Sequence, residues 1–350
     1  MQATEAITMQ QALNQLIGGS SLTRQQAEMV MNIIMNGEAT AVQIAGVVTA
    51  LRMKGETKDE ITGFAEAMRA HSSHLHTEQE GLLDTCGTGG SGIHKFNIST
   101  ASSIIAAAAG IRVAKHGNRA MSGKTGSADV LEALGVQITI TPEQAAQCLE
   151  DIGICFMFAQ LYHPSLRHAA APRRELGIRT IFNMLGPLTN PAGADRQLLG
   201  FYDRSRTSTV AEVLGELGLK RAMVVSSHDG LDEISISAPT QISELLNGVV
   251  KTYDVTPEEL GLTRWPIADV MGGEPEVNAA LIRSIFSGEQ RGAYRDIVLA
   301  NAGACIYVGG KAQSLREGAE IAAKVIDSGE AQRKLVSLIH TTGELANVSG

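Results

Sequence analysis

Residues 84–129 constrain this chain more than any other stretch, because glycines and phosphate-seeking side chains crowd into two short loops. Gly87, Gly89, Gly90 and Gly92 come directly after a β-like run at 82–86 and before Asn97, Ser99 and Thr100. A second cluster follows at once: Lys115, His116, Asn118, Arg119, Ser122, Lys124, Thr125 and Ser127. Glycine has no Cβ, so backbone N–H groups can close on an anion there. Ser and Thr hydroxyls donate to phosphate oxygens, and Lys and Arg supply charge. Each loop opens a helix, so the pair points to a ligand with two separated phosphate groups.

The rest of the chain gives these loops a setting. With 350 residues, 44% of them hydrophobic, there is material for one large domain or two unequal ones. The N-terminal part reads as four short helices. One covers 7–17 and ends at Gly18-Gly19; the next starts at a Thr23/Gln26 capping box and ends at Gly37. A third covers 41–53, with Ile44, Val47, Val48 and Leu51 at helical spacing, and a Thr57/Glu60 box opens the fourth. Beyond His71, β-like runs at 82–86, 112–115, 136–140, 154–157 and 222–226 alternate with helical runs such as 100–109 and 128–134. That alternation predicts an α/β arrangement with mainly parallel strands. Residues 164–183 again read as helical.

Charge and cysteine usage exclude several classes. A net charge of −8 argues against broad electrostatic binding to nucleic acid. Cys86, Cys148, Cys155 and Cys305 lack metal-ligand spacing and read as reduced thiols of a cytoplasmic protein. No signal-peptide pattern is read at the N-terminus, and the Ala-rich run at 104–110 is too short to span a membrane. Gly87 to Gly92 formally matches G-x-G-x-x-G, but the next β-like run leads into His116 without the acidic residue that a dinucleotide ribose needs. Gly117 and Gly123-Lys124-Thr125 have five residues between them where a Walker A loop has four. No G-x-S-x-G elbow and no H-E-x-x-H are present.

Two further groups carry chemistry. Asp232 and Glu233 are adjacent carboxylates in a loop after an apolar run. Alone they would read as a solvated acidic turn; beside two anion loops they suit Mg²⁺, which takes one or two carboxylates plus phosphate oxygens and waters. Arg173 and Arg174 lie on an expected helix, where a guanidinium can clamp a carboxylate bidentately.

In order and spacing, GTGG at 87–90, FNISTAS at 96–102, KHGNR at 115–119, the run at 173–191 and SHDGLDEIS at 227–235 resemble the anthranilate phosphoribosyltransferases over essentially the whole chain. The resemblance implies the nucleoside phosphorylase-like α/β fold, with a small N-terminal helical domain and a larger α/β domain around a central, mostly parallel sheet. The division expected here is 1–72, with helices from about 164–185 packing on it, and 73–350. It implies transfer of the phosphoribosyl group of 5-phosphoribosyl diphosphate (PRPP) to the amine of anthranilate, releasing pyrophosphate, in tryptophan biosynthesis. It also implies a homodimer formed through the helical domain. An association with anthranilate synthase stays open.

By the same resemblance, PRPP is expected at Gly87, Gly90, Ser91, Lys95, Asn97, Ile98, Ser99, Thr100, Lys115, Asn118, Arg119, Ser122, Gly123 and Ser127. Anthranilate is expected at Gly87, His116, Asn118, His163 and Arg173, and Mg²⁺ at Ser99, Asp232 and Glu233. No residue is expected to be an essential acid or base, because an aromatic amine is already neutral at pH 7.

The chain departs from the family pattern in places. Ser91 stands where Asp is usual, Lys95 where a small or hydroxyl residue is usual, Gly123 where Ser is common, and Cys86 replaces an aliphatic residue. Ser91 and Lys95 make the diphosphate loop more positive, which leads us to expect tighter PRPP binding with less dependence on Mg²⁺. The alternative readings are a pyrimidine-nucleoside phosphorylase, which needs no carboxylate pair, and a phosphoribosyltransferase with another aromatic acceptor.

Overall fold

Each of the first four helices starts on a threonine paired with a polar residue three positions on. The computed structural model describes residues 7–89, 92–120 and 124–347. In α1 (Met9–Ile17), α2 (Arg24–Met35), α3 (Ala41–Lys54) and α4 (Lys58–Ala70), Thr8, Thr23, Thr40 and Thr57 accept the N–H of Gln11, Gln26, Gln43 and Glu60. Those four side chains reach back to the capping backbone. A cap of this kind contributes about 1 kcal/mol, a useful margin for short helices. Glu60 does more: its buried carboxylate takes the N–H of Leu22 at 2.9 Å and of Thr57 at 2.8 Å, and the Lys54 ammonium at 2.9 Å. The buried charge is thereby paired and hydrogen-bonded.

From here strands and helices alternate. In chain order they are β1 (Leu83–Gly87), α5 (Ile98–Ala108), β2 (Val113–Gly117), α6 (Ser127–Ala133), α7 (Pro142–Ile152), β3 (Ile154–Phe158), α8 (Ala159–Tyr162), α9 (Arg167–Leu176), α10 (Phe182–Leu185), β4 (Arg196–Gly200), α11 (Thr207–Glu216) and β5 (Arg221–Ser227). Then follow β6 (Thr240–Leu246), β7 (Val249–Val255), α12 (Pro275–Phe286), α13 (Ala293–Val308), α14 (Leu315–Asp327) and α15 (Glu330–Asn347). The sheet order is β3-β2-β1-β4-β5-β6-β7, parallel through β5 and antiparallel at its last two pairings. The mostly parallel sheet expected from the alternation is present.

Two sequence expectations need correction. The run at 136–140 is not a strand. Val136, Ile138 and Ile140 are buried, but the Gln137 N–H goes to the Thr342 hydroxyl of α15 at 3.2 Å rather than to a neighbouring strand. Alternating burial alone does not make a strand without a ladder partner. The expected helix over 164–183 is broken: a 3-10 turn at Pro164–Leu166 leads into α9, Gly177 ends α9 in the left-handed conformation, and α10 begins only at Phe182. Three strands were also missed, namely β4, β6 and β7.

The sheet separates two cores, and alternate residues of its central strands feed each. Leu198, Met223 and Val225 join a core with α5, α13 and α15. Leu199, Ala222 and Val224 join another, which holds Ile34, Val47 and Phe64 of the N-terminal helices with Ala169, Phe182 and Leu185. The two-residue period of β4 and β5 therefore stitches the helical layer to the α/β body. Among the described residues, no helix is long and apolar enough to cross a membrane.

Candidate active site

Glycines at three strand ends build the floor. β1, β2 and β4 finish on Gly87, Gly117 and Gly200, and Gly87 lies level with Gly200 across the β1–β4 ladder. A Cβ on Gly87 would stand 3.0 Å from Asp232 Oδ2, and one on Gly200 would overlap the Asp232 carbonyl. The two glycines thus form a notch that admits the loop after β5. A Cβ on Gly117 would likewise overlap the Ser127 hydroxyl, so this glycine lets α6 begin against β2. The carboxyl ends of parallel strands are where open α/β sheets place ligands.

Asp232 and Glu233 occupy that notch and are 1% and 4% exposed. The Lys95 ammonium reaches both, 2.8 Å from Asp232 Oδ1 and 3.0 Å from Glu233 Oε1. Burial raises the Glu233 pKa; Lys95 opposes this, Asp232 adds to it, and the net direction is up. For Lys95, burial disfavours the charge, but the two carboxylates outweigh it and its pKa is raised. Two carboxylates set this close could serve as protein ligands of a Mg²⁺ ion, which takes one or two carboxylates together with phosphate oxygens and waters.

Beside the notch, α5 begins without a capping side chain. Its N-cap residue, Asn97, is used otherwise: Nδ2 donates to the Thr125 carbonyl at 3.2 Å, and Oδ1 accepts from Asn278 Nδ2 at 3.0 Å. Asn278 in turn accepts the Gly273 N–H at 2.8 Å, and the Thr125 hydroxyl donates to the Gly273 carbonyl at 2.7 Å. Loops 88–97, 118–126 and 271–274 and the start of α12 are thereby tied together, while the first turn of α5, with Ser99 and Thr100, keeps the orphan donors and positive end that attract an anion. The Thr100 hydroxyl is buried with no partner among the described residues.

The other expected phosphate residues divide. Lys115 is buried; its ammonium donates to the Thr85 carbonyl and lies 3.5 Å from the Ser99 hydroxyl. Ser127 donates to the Asn118 carbonyl at 3.2 Å, and Asn118 Oδ1 accepts the Arg119 N–H at 2.8 Å. The side chain of Ile98 lies in the larger core, and its N–H donates to the Phe96 carbonyl at 2.8 Å. Arg119 is held by α6: it pairs with Asp129 at 2.9 Å and with Glu132, and it lies over the Phe158 ring. Gly90, Ser91, Ser122 and Gly123 fall outside the described residues.

His116, in β2, and His163, at the end of α8, stand with ring centroids 5.1 Å apart. Burial lowers the His116 pKa to about 3, with His163 and Lys115 adding to the effect. Burial likewise takes His163 to about 4. Each ring donates to a backbone carbonyl, His116 to Gly186 and His163 to Thr189, and each Nε2 is buried without a partner among the described residues. Both imidazoles are therefore neutral and present an Nε2 lone pair. Arg173, near the end of α9, lies over the Phe182 ring at 5.1 Å and has no carboxylate partner among the described residues. No hydrogen bond or ion pair among the described residues joins it to the other site residues.

Comparison with known proteins sets this geometry in a family. Residues 10–72 match the family model for the glycosyl transferase helical bundle domain, and residues 79–332 match that for the glycosyl transferase a/b domain. An anthranilate phosphoribosyltransferase of Brevibacillus brevis is 52% identical over 338 residues, covering 97% of this chain and 99% of that protein. The crystal structure of the Thermus thermophilus enzyme aligns with a TM-score of 0.90 at 44% identity, covering 95% of this chain and 99% of that one. The chain belongs to the anthranilate phosphoribosyltransferase family. A Saccharomyces cerevisiae anthranilate phosphoribosyltransferase in complex with PRPP and Mg aligns with a TM-score of 0.88 at 25% identity, covering 97% and 99% of the two chains.

Within this anthranilate phosphoribosyltransferase framework, two residues escaped the sequence reading. Asp84 is fully buried, accepts the His116 N–H at 3.1 Å and is drawn to Lys115, although burial still raises its pKa. An acidic residue inside an apolar run was the signal for it. Asn278, 1% exposed, locks Asn97 from a helix 181 positions away and carries no local signal.

Proposed function

We propose that this chain transfers the phosphoribosyl group of PRPP to the amine of anthranilate, giving N-(5-phosphoribosyl)anthranilate and pyrophosphate, a step of tryptophan biosynthesis. The observation that carries the reading is the grouping of an uncapped α5 N-terminus and a buried carboxylate pair at the strand ends. PRPP lies along loops 88–97 and 118–126, and the first turn of α5 receives a phosphate. The carboxylates of Asp232 and Glu233, already converging on one cation, hold Mg²⁺ with Ser99. When bound, that ion neutralises the departing diphosphate.

Arg173 takes the anthranilate carboxylate, and Asn118 its amine or carboxylate. His116 and His163, both neutral, line the approach without adding a charge that would compete with Arg173 for the carboxylate. The amine nitrogen forms a bond to the anomeric carbon while the bond to diphosphate breaks and its electron pair leaves with pyrophosphate. The proton freed from nitrogen passes to solvent. Rate enhancement rests on positioning and leaving-group electrostatics. The helical and α/β domains divide near residue 72. Exposed Ile17, Val42 and Met53 on α1 and α3 support a homodimer through the helical domain, and four free cysteines support a cytoplasmic location.

The test is loss of anthranilate fluorescence, with pyrophosphate release followed in parallel. Loss that requires both substrates and stops with EDTA is expected; no loss while PRPP still binds would assign another acceptor. Arg173→Lys is expected to raise the anthranilate KM about tenfold, because the planar fork is lost while the charge stays. A normal KM in that variant would remove Arg173 from the pocket.

A further inference from the structure

We propose that Lys95 is a built-in counter-cation that holds the Asp232 and Glu233 carboxylates until the diphosphate arrives, so that divalent metal enters with the phosphate ligand and not before it. This rests on the PRPP reading of the site. An ammonium has three N–H donors. Lys95 has three acceptors for them: Asp232 Oδ1 at 2.8 Å, Glu233 Oε1 at 3.0 Å and the Asp232 carbonyl at 3.2 Å. The same carboxylate oxygens are the ones a metal would take, so metal and ammonium contend for one place.

The backbone around the lysine is fixed. Its backbone pairs with Met271, and the Gly272 N–H holds the neighbouring His94 carbonyl at 2.7 Å. Its side chain is 17% exposed, against 1% for Asp232 and 5% for Glu233. Two adjacent carboxylates this deep repel one another and would repel a diphosphate without a cation between them. Lys95 supplies that cation from the chain itself and leaves the cluster of Lys95, Asp232 and Glu233 with one net negative charge. Free divalent metal meets a site whose oxygens are already engaged by a positive group. A diphosphate offers Lys95 new anionic acceptors, and its flexible stem lets the ammonium move onto them and release the carboxylates.

The experiment uses the full chain with Mn²⁺ as the probe, the free ion being read by electron paramagnetic resonance, and PRPP binding being read by calorimetry in EDTA and in Mn²⁺. Lys95→Thr is expected to bind Mn²⁺ alone at least about tenfold more tightly than the unaltered protein, and to lose at least about tenfold in PRPP affinity in EDTA, with recovery once Mn²⁺ is added. Equal Mn²⁺ affinities in the two folded proteins would overturn the proposal. Should Lys95→Thr fail to fold, the unaltered protein decides: weak Mn²⁺ binding with metal-free PRPP binding supports the proposal, and tight Mn²⁺ binding or a strict metal requirement for PRPP overturns it. PRPP binding absent both with and without metal would overturn the functional reading itself, and the proposal with it.

Discussion

Arg119 and Arg173 look alike in the sequence, each a cation beside a functional motif, yet their surroundings separate them. Both lie over an aromatic ring, but Arg119 is committed to Asp129 and Glu132, whereas Arg173 has no carboxylate partner among the described residues. His116 and His163 are likewise decided by their setting. Their folded pKa values of about 3 and about 4 lie below the ordinary imidazole value of about 6.5. As pH falls below about 6.5, the unfolded chain therefore binds protons that the folded chain refuses. The stability these groups contribute is complete above that value and drains away as pH falls toward about 4 and then about 3. The melting temperature is expected to drop between pH 7 and pH 5, and to drop less in His116→Gln and His163→Gln. Calorimetric melts across that range check this; the same pH slope in the variants would show that the imidazoles do not drive it.

The N-cap residue of α5 is put to a different use from those of the capped helices. α1 to α4, α7 and α14 are capped by a Thr or Ser hydroxyl. The cap residue of α5 spends its amide on Thr125 and Asn278 instead, fixing three loops at the cost of a cap. Asn97→Ala and Asn278→Ala are each expected to lower PRPP affinity about tenfold, and the double variant to be little worse than either, as for residues acting in one network. Calorimetric titration with PRPP measures this. Additive losses would mean that Asn97 acts by touching the ligand itself. At the sheet's far edge, β6 and β7 join through Asn247 and Gly248, both with positive φ. That dipeptide is a strong hairpin signal that the sequence reading passed over.

In the whole molecule, the second core makes the helical layer and the sheet one structure. Leu199 and Val224 of the sheet share it with Ile34 and Phe64 of the helices. Folding is expected to be cooperative across both, with Trp265 fluorescence, which reports the α/β body through the chain's single tryptophan, melting together with far-ultraviolet ellipticity. Leu199→Ala, a buried truncation costing about 2–5 kcal/mol, is expected to shift both signals equally. A Trp265 transition left in place while ellipticity shifts would show that the two layers melt independently.

The sequence by itself determined what is local. Capping boxes at Thr23 and Thr57, the apolar periodicity of the N-terminal helices and the alternation of β-like with helical runs depend on residues a few positions apart, and they sufficed for four helices and a mostly parallel sheet. Only the tertiary structure decided what depends on distant partners. It placed Asp232 in the notch of Gly87 and Gly200, set Lys95 on a carboxylate pair 137 and 138 positions away, and locked Asn97 to Asn278. It left 136–140 without a strand partner and tied Arg119 to the carboxylates of α6 while giving Arg173 none among the described residues. A side chain's type is written in the chain, but its burial, its partner and hence its charge exist only once the distant segments have met.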